Sequence, residues 1–138
     1  HRTSIDTAEK VKVEVGAAAP LPRQLTYEVK GRNLSSGIPS AVVVDDQEIR
    51  VALRGIVEII VKTVREGLES IPPELSADIC ERGIVLTGGG ALLKGLDRRL
   101  AECTFVPVTV AADPLSSVVL GVGKMLDDPG LMKRLSAA

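Results

Sequence analysis

A short apolar strand that runs into three glycines and then into a helical segment constrains this chain more than any other feature. It reads Gly83-Ile84-Val85-Leu86-Thr87-Gly88-Gly89-Gly90-Ala91-Leu92-Leu93. Glycine has no Cβ and accepts positive φ, so such a run brings bare backbone close to whatever lies beyond the strand end. The first amides of the following helix are unpaired and electropositive, which suits a phosphate or a nucleotide. The same run fits a tight strand-to-helix turn that binds nothing. Two familiar glycine motifs are excluded residue by residue. A dinucleotide G-x-G-x-x-G needs glycine where Leu93 stands, and a P-loop needs Gly-Lys-Ser/Thr where the order is Lys94-Gly95-Leu96.

A chain of 138 residues can bury one core, or one core with a small appended lobe. Its 17 basic and 18 acidic side chains are interspersed, which leaves no nucleic-acid footprint. Tyr27 and Phe105 are the only aromatic residues, so base-stacking platforms are excluded and the core must be aliphatic. Cys80 and Cys103 lack disulfide-scaffold numbers and metal spacing, and read as reduced core residues of a cytosolic protein. The longest uncharged stretch, Asn33 to Val44, falls short of the roughly 18 apolar residues that a spanning helix needs. The start at His1, without methionine or a signal-type apolar region, reads as a piece of something longer.

Along the chain, Asp6 to Ala18 reads as a helix, with Asp6 as N-cap and Glu9 as its capping-box partner. Gln24 to Arg32 alternates as a half-buried strand and pairs with Ala41 to Val44 as a hairpin. Asp45 and Glu48 repeat the capping-box spacing and open the longest helix. Its apolar face is Ile49, Leu53, Ile56, Ile60, Val64 and Leu68, and its charged face carries a Glu58 to Lys62 pair. Pro72-Pro73 ends that helix, and Glu74 to Cys80 forms a short helical turn. A helix over Ala91 to Cys103, a buried strand over Val106 to Ala111 and a helix over Ser116 to Leu126 follow, with a final turn within residues 128–138. The order is mixed α/β, with a small lobe at residues 1–45 and a larger one at 46–138.

Three segments taken together resemble one family. They are Thr7-Ala8-Glu9-Lys10-Val11-Lys12-Val13-Glu14-Val15-Gly16, Pro72-Pro73-Glu74-Leu75-Ser76-Ala77-Asp78-Ile79, and Glu81 through the glycines to Asp97, followed by Asp113-Pro114-Leu115. In order and over nearly the whole chain, they resemble the C-terminal half of the MreB family of bacterial actin-like, rod shape-determining proteins. The resemblance implies the second domain of the actin/Hsp70-type ATPase fold. Residues 1–45 would be its outer α+β subdomain and 46–138 its ribonuclease H-like core subdomain. It implies ATP as cofactor, with Glu9, Lys10, Val11 and Lys12 touching the adenosine and Thr87, Gly88, Gly89 and Gly90 passing under the adenosine and α-phosphate.

Glu9 and Lys12 stand at i and i+3, so an acceptor for ribose hydroxyls and a cationic donor can face one ligand. Read without the resemblance, the pair is better explained as a capping-box residue and a solvated charge. The family's phosphate loops, magnesium-holding acids and water-activating residue belong to its first domain or the interdomain junction. ATP hydrolysis by this chain alone is therefore not expected. The partners implied are identical subunits in a filament, a membrane adaptor of the RodZ type and the cell-wall elongation machinery. The implied location is cytoplasmic, at the inner face of the membrane, with no nucleic acid bound and no membrane insertion by this part. The alternative is a piece of an Hsp70-like chaperone or another actin-fold ATPase such as a sugar kinase, although no sugar-binding acidic motif occurs.

Overall fold

The first helix starts at a serine rather than at the expected aspartate. In the computed structural model, which describes residues 3–128, 130, 133 and 134, α1 spans Ile5–Val15 and the Ser4 hydroxyl accepts the Thr7 amide. Asp6 therefore lies inside the first turn, where a carboxylate favours the helix dipole, and Glu9 is free to pair with Lys12. The helix closes at Gly16, whose N–H donates to the Lys12 carbonyl. The final turn expected within residues 128–138 falls largely outside the described residues.

The hairpin forms as its alternation dictates. Strand β1 (Thr26–Arg32) pairs antiparallel with β2 (Pro39–Asp45), Tyr27 opposite Val44 and Val29 opposite Val42 on the half-buried face. Two consecutive aspartates fasten it to α2 (Asp46–Glu69). Asp45 completes the expected capping box with Glu48, while buried Asp46 accepts the Leu25 amide at 2.9 Å and meets Arg50 at 3.5 Å. The inner stripe of α2 is centred differently from the sequence reading. Val57 and Val61 are buried, whereas Ile56 is 60% exposed, because the stripe follows α4 (Leu96–Thr104) and not the hairpin alone. Glu58 does not pair with Lys62. It binds Arg99 of α4 at 2.7 Å, and Lys62 turns to Glu66 at 3.7 Å.

Helix α3 (Pro73–Arg82) is longer than the expected turn, since Pro73 suits the first helical position. Gly83 then turns the chain at φ 81°, and Ile84 donates to the Pro107 carbonyl at 2.8 Å. This starts the parallel pairing of β3 (Ile84–Leu86) with β4 (Val108–Val110). Strand β4 is shorter than expected and only half-buried at Val108. The helix expected from Ala91 is replaced by a 3₁₀ turn over Gly89–Leu92, and α4 (Leu96–Thr104) begins only after Gly95. Leu93 and Lys94 are extended there because Lys94 bridges to Ala17. Helix α5 spans Ser117–Asp127. The buried residues Ala18, Val57, Val61, Leu96 and Leu100 form one core cluster, flanked by Leu86 and Val108. Cys103 is half-buried and packs against this cluster as expected, Cys80 is exposed on α3 and does not, and both are free thiols.

Candidate functional site

The two stretches singled out in the sequence lie on different elements joined by one short segment. On α1, the Glu9 and Lys12 side chains form an ion pair of 2.7 Å and remain about half exposed. Both line a cavity of about 510 Å³ whose other walls are mostly aliphatic, including Val29, Val42 and Leu53, with Thr3 at one side. Val11 lines it too and is buried, while Lys10 is exposed and does not reach it. The arrangement places one carboxylate and one ammonium together at a mostly apolar hollow between α1, the hairpin and α2. A polar ligand with an apolar ring fits such chemistry.

The glycine loop is held from behind. Thr87 Oγ1 donates to the Pro114 carbonyl at 3.1 Å, and the Gly88 amide donates to the same oxygen at 2.7 Å. Asp113 in turn accepts the Ser116 amide and the Ser117 hydroxyl, which fixes the 113–115 turn at the start of α5. Pro114 therefore supports the loop, a role that no local pattern in the sequence signals. Gly88 lies at φ 83°, a conformation that favours glycine. Gly89 and Gly90 do not have positive φ. The loop residues do not line the cavity beside Glu9 and Lys12, so the structure joins Glu9 with Lys12 and joins Thr87 with Gly88, and residues 93–95 connect the two groups.

The Arg99 guanidinium is held above its ordinary value by its hydrogen bond to Glu58 and by the nearby Cys103. Among the described residues, no group of three or more His, Cys, Asp or Glu side chains could hold a metal ion. No described helix is long and apolar enough to cross a membrane.

Comparison with known proteins fixes the family. The MreB/Mbl protein family profile matches residues 3–134. Cell shape-determining protein Mbl of Bacillus subtilis (strain 168) is 47% identical over 122 residues, which are 88% of this chain and 37% of that protein. Cell shape-determining protein MreB of Escherichia coli (strain K12) is 50% identical over 121 residues, 88% of this chain and 35% of that protein. The chain thus spans little more than a third of the length of these relatives. Among solved structures, MreB5 of Spiroplasma citri bound to ADP matches with a TM-score of 0.84 and 31% identity, over 96% of this chain and 40% of that one. The same protein bound to AMPPNP gives 0.83. The chaperone and sugar-kinase alternatives are not favoured by these relatives. The chain carries part of the actin-type ATPase fold, and it belongs to the MreB/Mbl family of actin-like, cell shape-determining proteins.

Proposed function

We propose that this chain forms one wall of an adenine-nucleotide cleft in a filament-forming protein that shapes the cell, with ATP as the nucleotide. The observation that carries this reading is that the fold does not demand glycine at positions 89 and 90. A Cβ at Gly90 would meet nothing within 4 Å, and one at Gly89 would make only an ordinary contact with Leu115. Glycine within a helical turn costs about 0.5–1 kcal/mol relative to alanine. Bare backbone at two positions that could carry side chains supports a flat group lying against it.

In this reading Glu9 accepts from the ribose hydroxyls and Lys12 donates toward the base, with Lys10 and Val11 supporting them. Thr87 to Gly90 floor the adenosine and α-phosphate. Residues 1–45 act as the outer lobe and 46–138 as the core lobe. Magnesium and the groups acting on the γ-phosphate fall to the family's first domain, and the ADP- and AMPPNP-bound relatives support a nucleotide in the intact fold. Family membership supports assembly with identical subunits, and further supports a RodZ-type adaptor and the cell-wall elongation machinery as partners at the inner membrane face. Titrating ADP and ATP into the intact protein bearing Glu9→Ala or Lys12→Ala tests the nucleotide half. Each substitution removes a hydrogen bond to a charged group and is expected to weaken binding about tenfold. Unchanged affinity in both variants overturns the assignment.

A further inference from the structure

Lys94 stands four residues beyond the last of the three glycines, and its side chain crosses to the end of α1. Its Nζ donates to the Val13 carbonyl at 2.7 Å and to the Glu14 carbonyl at 3.0 Å. A helix leaves its last four carbonyls without intrahelical partners, and a cation there also complements the negative end of the dipole. The Lys12 carbonyl is taken by the Gly16 amide, so Lys94 and the cap together satisfy three of these four groups.

The backbone of the same residue repeats the connection. The Lys94 carbonyl accepts the Ala18 amide at 2.8 Å, within a parallel bridge between Ala17 and Lys94. Gly16 seats against Leu93, where an added Cβ would lie 3.2 Å from Leu93 Cδ1. Glu9 and Lys12 precede this junction by two turns or less on α1, and Gly90 precedes it by four residues on the other strand of chain.

We infer that Lys94 is a positioning residue that sets the axial height and rotation of α1 against the glycine loop, so that both reach one adenosine together. The inference rests on the nucleotide reading above. Without the ammonium, the last turn of α1 loses two hydrogen bonds and shifts the Glu9–Lys12 pair relative to the loop, although Lys94 touches no nucleotide.

The test uses the intact protein with Lys94→Met and Lys94→Arg, titrated separately with ADP and with tripolyphosphate, which lacks the adenosine. Lys94→Met is expected to weaken ADP about tenfold and leave tripolyphosphate unchanged, because misalignment affects only the adenosine side. Lys94→Arg, which can reach both carbonyls, is expected to restore ADP affinity to within about twofold. Equal losses of ADP and tripolyphosphate, accompanied by a lowered unfolding midpoint, reduce Lys94 to a structural role and overturn the inference. Normal ADP binding by Lys94→Met beside weakened binding by Lys12→Ala overturns it while sparing the nucleotide reading. Normal binding by both variants removes the nucleotide reading and the inference with it. Where Lys94→Met does not fold, Lys94→Gln, which keeps one donor group, is read by the same criteria.

Discussion

Phe105 holds a backbone conformation that suits glycine. Its φ is 58°, it caps the end of α4, and its ring is 92% exposed, so little packing offsets the strain. The left-handed region costs an L-residue about 1–2 kcal/mol. Phe105→Gly is accordingly expected to raise stability by about 1 kcal/mol in urea unfolding. A loss of stability would show that the ring makes contacts worth more than the strain. Residue-scale features were legible where chemistry is local. The Asp45–Glu48 capping box follows from spacing alone and is present in full. The cap of α1 was not, because Ser4 and Asp6 are equally good caps by type, and the choice between them depends on which turn the rest of the helix adopts. Asp46 has no local signal either, since its partner Leu25 lies just before β1, outside the reach of any local pattern.

At the scale of elements, two junctions hold β3 against β4 and α2 against α4. Gly83 lets β3 lie beside β4, for a Cβ there would stand 2.5 Å from the Pro107 carbonyl oxygen at a positive φ. Gly83→Ala is expected to cost about 2–3 kcal/mol, read as a lowered urea midpoint, since it combines backbone strain with a clash against main chain. A change under 0.5 kcal/mol would mean that the strand pair adjusts freely. The second junction is the Glu58–Arg99 ion pair between α2 and α4. A double-mutant cycle is expected to give about 0.2–1 kcal/mol of coupling, because both partners are partly solvated. Arg99 is raised in the folded state, so its contribution is complete below arginine's own pKa and is lost only in strong alkali. Its charge is therefore expected to add no pH dependence to stability between pH 6 and pH 9. The periodicity of α2 was legible, but its centre was not. Val57 and Val61 face α4, and only the tertiary partner decides which of two adjacent apolar rows is buried. The late start of α4 has the same origin in the Ala17–Lys94 bridge, which holds residues 93–94 extended where local pattern favours helix.

For the whole molecule, the order of elements and the mixed α/β class were readable from alternation, caps and breakers, while the parallel pairing of β3 with β4 was visible only in the structure. The candidate site was legible as two motifs, and the structure adds what connects them: the Pro114 carbonyl behind the glycines and residues 93–95 against α1. The central claim is that the bare backbone at Gly90 serves a ligand and not the fold. It is tested most directly by Gly90→Ala in the intact protein, with ADP affinity and unfolding midpoint measured on the same sample. The expected result is an affinity about tenfold weaker beside a midpoint that is unchanged or slightly raised, since the added methyl meets no protein atom. Affinity equal to that of the unsubstituted protein, at an unchanged midpoint, would contradict the claim.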